Sequence, residues 1–183
     1  GAVLDRLSAN AVDGESGTIT YTQWLNERGK IEADLTVTKL EPGTLGAVSA
    51  DGRPSYLVVA TDTAHRHVQS ILARACVAAT AGADGGAFVA DVTGALAQIN
   101  LQGPRSRDVL AELTSADVSD GAMPYRAARE IDVGFARVLA VRITYLGELG
   151  YELYVPAEQA VHVYDQRVAV GERFGLRHAG LRA

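Results

Sequence analysis

Two carboxylates sit where chemistry is possible. Asp34 lies within residues 31–38 (IEADLTVT), a segment of strict alternation. Ile31, Ala33, Leu35 and Val37 are predicted to point to a buried side, and Glu32, Asp34, Thr36 and Thr38 to the other. Aspartate is a poor strand residue, so its place in mid-strand asks for a reason. A water-facing strand satisfies the pattern equally well, because one face of an antiparallel sheet is commonly solvated. Glu148 sits in Gly147-Glu148-Leu149-Gly150. Exposed turn chemistry accounts for it. So does presentation by a tight loop to a ligand carrying paired N–H donors, which the two acceptor oxygens of an ionised carboxylate match. The pattern alone leaves both choices open.

Other reactive side chains read as structural. His65 and His67 are two apart near a helix start, and residues so spaced do not share a helix face, so no metal pair is expected. His162 and His178 are isolated. Cys76 reads as a core residue at a helix end, and as the only cysteine it excludes an intrachain disulfide and a four-thiolate zinc site. No G-x-G-x-x-G follows a strand, and neither a Walker A pattern nor a G-x-S-x-G elbow is present, so the residues themselves hold no flavin or nicotinamide fold.

The elements that position the two carboxylates come from hydrophobic period and turn signals. The chain has 183 residues, 48% of them hydrophobic, enough for a core without disulfide staples. Its net charge of −5 with scattered basic residues argues against nucleic acid. No run approaches a membrane span, and no signal peptide is visible. The start at Gly1 and the stop at Ala183, inside an apolar run, read as the ends of a piece of something longer.

Residues 2–10 predict a short helix. Residues 18–25 (TITYTQWL) predict a strand that turns at 26–30 into the strand bearing Asp34. Residues 41–54 read as a loop, 55–60 as a buried strand, and 62–77 as a helix with Val68, Ile71, Leu72 and Ala75 on its apolar face. Residues 80–87 read as a loop. Phe88, Val89, Val92, Leu96, Ile99 and Leu101 are assigned to one or two strands. Gly103-Pro104 opens a helix that buries Val109, Leu110 and Leu113. One long strand or two over 129–145 precede the Glu148 turn, a strand over 151–155 and a helix over 157–171. Mixed helices and hairpins without βαβ repetition predict an α+β fold with antiparallel sheets and flanking helices. No internal repeat or domain boundary is evident.

Read together, several segments carry a resemblance. They are YTQWLNERGKIEADLTVTKL (21–40), YLVV (56–59), INLQGPRSRDVL (99–110), REIDVGFARVLAVRITYLGELGYELYVP (129–156) and GLRHAGLRA (175–183). In this order the chain resembles the folate-binding half of dimethylglycine and sarcosine dehydrogenases, which belongs to the glycine-cleavage T-protein (aminomethyltransferase) family. The resemblance implies a T-protein-like folate-binding domain over 1–183, lacking the C-terminal β-domain of family members. It implies tetrahydrofolate as ligand and a small N-methyl amine as the one-carbon source. FAD would belong to a separate flavin domain of the same parent chain, the partner that oxidises the amine.

In this light Asp34 matches the family's central acidic residue, with a catalytic role. Glu148 matches the turn glutamate that grips the pterin's N–H edge, and Tyr21 matches a hairpin aromatic packed near the pterin. Asp34 and Glu148 are then expected to border one pocket. The family hairpin carries two glycines where this chain has Gly29-Lys30, so a different turn is expected. The resemblance implies part of an N-methyl-amine dehydrogenase or oxidase, in the cytoplasm, or in the mitochondrial matrix of a eukaryote. A glycine-cleavage aminomethyltransferase and a non-catalytic folate-binding accessory protein are the alternatives.

Overall fold

A computed structural model describes residues 1–46, 52–80 and 86–180. The loops read over 41–54 and 80–87, and the segment 175–183, lie partly outside the described residues. The chain divides into two compact units, Gly1–Val92 and Thr93–Ala183. The glycine-rich stretch 80–87 just before this division reads as an ordinary loop, so the sequence alone marks no domain boundary there.

In the first unit, helix α1 (Ala2–Leu7) precedes strands β1 (Thr18–Leu25), β2 (Ile31–Lys39) and β3 (Tyr56–Ala60), which form an antiparallel sheet in the order β1-β2-β3. Helix α2 (His65–Thr80) supplies Val68, Leu72 and Cys76 to a core with Trp24, Leu35 and Val37. Trp24 is 2% exposed, and its indole N–H donates to Ser8 Oγ at 3.1 Å. Burial pushes the Cys76 thiol up, the opposite of an activated nucleophile, in keeping with a core role. Asp13 ties the sheet together: its Oδ1 accepts from Lys39 Nζ at 2.7 Å and from the Tyr56 hydroxyl.

The alternation of β2 holds for Ala33, Leu35 and Val37, all buried, but not for Ile31, which is 64% exposed. A bulge between Trp24 and Leu25 brings Ile31 opposite Leu25 at the open end of the hairpin, where neither is buried. Strand β3 buries only Leu57, so residues 55–60 are half-covered rather than fully buried. Phe88 and Val92 are exposed and precede the next strand rather than joining it.

The second unit is an antiparallel sheet in the order β4-β7-β6-β5, from strands β4 (Leu96–Gln102), β5 (Ala128–Val133), β6 (Ala136–Val141) and β7 (Gly150–Pro156). The segment 129–145 therefore resolves into two strands, joined through Gly134 at φ 58. Helices α3 (Ser106–Leu113) and α4 (Ala160–Gly171) bring Val109, Leu110 and Val163 against Tyr151, Leu153 and Val155. At about 0.8 kcal/mol per buried CH2, these side chains dominate the unit's stability. No helix among the described residues is long and apolar enough to cross a membrane.

Candidate functional site

Strand pairing puts Asp34 opposite Gln23, and Tyr21 opposite Thr36. Tyr21 and Asp34 are thus diagonal neighbours on the face away from the core, within reach for an aromatic side chain. The Tyr21 hydroxyl donates to Asp34 Oδ2 at 2.8 Å. That bond pushes the Tyr21 phenol above its ordinary value. Both residues are exposed, and Asp34 Oδ1 has no partner among the described residues. The hydroxyl orients the carboxylate and leaves one anionic oxygen open to a cation or a proton.

The neighbouring carboxylate is committed elsewhere. Glu32 accepts from Asn26 Nδ2 through Oε1 and pairs with His67 Nε2 through Oε2, each at 2.8 Å. These partners, Asn26 foremost, hold Glu32 below the usual carboxylate range. Asn26 Oδ1 also accepts from the backbone N–H groups of Arg28 and Lys30. Gly29 alone takes positive φ, at 70°, so Lys30 is not strained in this turn. His65 pairs with Asp91 at 3.0 Å. Each of the two histidines thus serves a carboxylate of its own.

Glu148 belongs to the second unit, in a turn built from two segments. Gln102 lies opposite Gly150 across β4 and β7. A Cβ at Gly150 would run into the Gln102 side-chain amide, so a larger residue there would have to push that amide aside. Just beyond, the Gly103 N–H donates to the Leu149 carbonyl at 2.7 Å, and Ser106 Oγ to the same oxygen at 3.2 Å. The Leu-Gln-Gly-Pro stretch therefore fixes the glutamate turn, which gives the two motifs a common physical purpose.

Glu148 is exposed, and its carboxylate has no partner among the described residues. It lines a depression of about 280 Å³ with Tyr125, Arg142, Thr144, Gly147 and Gly150. Arg142 NH1 reaches the Met123 carbonyl at 2.9 Å and Asp120 Oδ1 at 2.7 Å. The same Asp120 oxygen meets Arg107 NH2 at 2.7 Å, and Arg107, more than Arg142, holds Asp120 below the usual carboxylate range. Arg142 Nε and Thr144 Oγ1 are buried without a hydrogen-bond partner. The depression thus presents a free anionic acceptor, and two of its lining residues, Arg142 and Thr144, each carry a buried polar atom without a partner.

Asp34 and Tyr21 are brought together in the first unit, and Glu148 stands in the second. Sequence reasoning missed Tyr125 and Thr144, which lie in no motif with chemistry of its own. Arg142 lay inside a recognised segment, but nothing in the pattern marks its unpaired nitrogen.

A family model described as GCVT N-terminal domain matches residues 1–183. The chain is 34% identical over 185 residues to the mitochondrial sarcosine dehydrogenase of Mus musculus, covering 98% of this chain but 19% of that protein. It is 34% identical over 175 residues to an aminomethyltransferase of Saccharopolyspora erythraea, covering 96% of this chain and 42% of that one. In fold it is similar to the crystal structure of the glycine cleavage system aminomethyltransferase T from Bartonella henselae. That likeness has a TM-score of 0.68 and 20% identity over 91% of this chain and 40% of the other. This is the α+β arrangement of antiparallel sheets and helices expected above. The chain spans less than half the length of each of these three proteins.

Proposed function

The chain belongs to the GCVT N-terminal domain family, and from that premise we propose that it binds tetrahydrofolate and captures a one-carbon unit from an oxidised N-methyl amine of the sarcosine or dimethylglycine type. The supporting observation is the unpartnered Glu148 carboxylate in one depression with Arg142, whose buried Nε is orphaned. A pterin presents paired N–H donors next to a carbonyl acceptor. A carboxylate beside a buried unpaired donor has the complementary set. The residues therefore fit the group: Glu148 would hold the N–H edge, and Arg142 and Thr144 would satisfy acceptors.

When bound, tetrahydrofolate supplies the nitrogens that take the carbon as 5,10-methylenetetrahydrofolate. Asp34 contributes charge. Its open Oδ1 stabilises a cationic amine or iminium and accepts a proton, while Tyr21 keeps the carboxylate oriented. Oxidation of the amine is assigned to a flavin domain of the parent polypeptide, which holds the FAD. In a eukaryote the place is the mitochondrial matrix, a reading supported by the word mitochondrial in the name of the mouse relative; otherwise it is the cytoplasm.

The Saccharopolyspora relative favours a second reading, a glycine-cleavage aminomethyltransferase, which ammonia release from a lipoyl-carried aminomethyl group would identify. The test of the main reading uses the intact polypeptide with its flavin domain. Tetrahydrofolate is titrated by calorimetry, and methylenetetrahydrofolate formation is assayed separately. Asp34→Asn is expected to leave affinity within about threefold and to lower product formation by roughly a hundredfold or more. Lost binding with normal turnover of the bound complex would reverse the assignment.

A further inference from the structure

We propose that Tyr125 is the aromatic wall of the Glu148 depression, stacking on the flat ring whose N–H edge Glu148 holds. The inference rests on the reading of that depression as a pterin site, and it names a residue that no motif of the chain marks.

Tyr125 lines the same depression as Glu148 yet is 60% exposed, and its hydroxyl has no partner among the described residues. Such a side chain adds little to the core, and it belongs to a residue on the wall of the depression. Its backbone is built to keep it there. The Ala127 N–H donates to the Pro124 carbonyl at 2.9 Å, closing a turn with Tyr125 and Arg126 at its centre. Arg126 sits at φ 75, the position of a type II turn that ordinarily takes glycine. A non-glycine residue held in this region is strained, and strain of this kind persists where the surroundings over-determine it.

The surroundings do so here. The Arg126 N–H donates to the Arg142 carbonyl at 2.9 Å, and the Arg142 N–H to the Ala127 carbonyl at 2.8 Å. The Arg142 guanidinium holds Met123 and Asp120, and Asp120 also holds Arg107, whose Nε donates to the Tyr151 hydroxyl at 3.0 Å. Arg142 precedes the glutamate turn, and Tyr151 follows it. One carboxylate and two guanidiniums therefore lock the segment presenting Tyr125 to both ends of the segment presenting Glu148. The backbone segments that carry wall and acceptor are tied together before a ligand arrives, and preorganisation of this kind lowers the ordering cost of binding. Asp120 is a positioning residue in this arrangement, and Tyr125 is the one that touches the ligand.

The test is calorimetric titration of the full chain with two probes, tetrahydrofolate and 6-methyltetrahydropterin, the second of which lacks the aminobenzoylglutamate tail. Tyr125→Ala is expected to weaken both by roughly tenfold, the loss of one aromatic stack, and Tyr125→Phe, which keeps the ring, to stay within about threefold of the parent. Equal binding by Tyr125→Ala and the parent overturns the assignment while the pterin reading stands. A loss confined to the probe with the tail also overturns it, by placing Tyr125 against the tail. A parent chain that takes neither probe removes the pterin reading and this inference together.

Discussion

Replacing Glu148 by glutamine separates ligand binding from folding with little ambiguity. The side chain is exposed and bonded to nothing among the described residues, so the fold loses no contact when its charge is removed. A surface change of this kind stays within about 0.5 kcal/mol, or a melting shift of about 2 °C for a chain of this size. The ligand loses more. One of two acceptor oxygens becomes an NH2 group that opposes a ring N–H, so a charge-assisted hydrogen bond disappears and a donor faces a donor. The cost is about 2–3 kcal/mol, roughly 30- to 150-fold in Kd. Those N–H groups are present before and after the carbon is transferred. The substitution therefore removes uniform binding and leaves turnover at saturating folate unchanged. Calorimetry with tetrahydrofolate and a thermal melt on the same preparation measure the two quantities. Unchanged affinity refutes the assignment of Glu148 to the pterin edge. Lost affinity with a melting point many degrees lower refutes the claim that Glu148 is free in the fold.

Leu35→Asp buries an unpaired charge at a site 2% exposed and is expected to destabilise the first unit by several kcal/mol, whereas Ile31→Asp, at a site 64% exposed, should change little; chemical denaturation compares them, and equal effects would contradict the register of β2. The bond from Lys39 holds Asp13 below its ordinary value of 3.8, so the stability Asp13 contributes is present above that value and is lost as pH falls through its folded-state value. Asp13→Asn should accordingly destabilise the chain at neutral pH and differ less from the parent near pH 2, as read by paired thermal melts; a gap that widens in acid would contradict this.

Much of the fold was legible because period is written into residue order. Ala33, Leu35 and Val37 are buried as their alternation predicts, and Val109, Leu110 and Leu113 line the core side of α3. Alternation gives the side of a strand and not how far the covering layer extends, which is why Ile31 was misplaced. The bond between Tyr21 and Asp34 depends on register, since the two are diagonal rather than directly paired, and only the assembled hairpin sets that register. The link from Asp120 to Arg142 joins a loop to the end of a strand through one carboxylate oxygen. No local spacing encodes such a contact. Glu148 was found through a motif, while its neighbour Tyr125 became visible only as a surface.

Trp24 is the chain's single tryptophan, and it is buried in the core of the first unit. Its emission therefore works as a built-in reporter of that unit alone, while the far-ultraviolet signal of the backbone sums both units. Coincidence of the two unfolding curves is the signature of one cooperative transition; separation means that the two cores melt on their own. In the second case a ligand held solely by the unit that carries Glu148 raises that unit's midpoint by mass action and leaves the indole transition where it was.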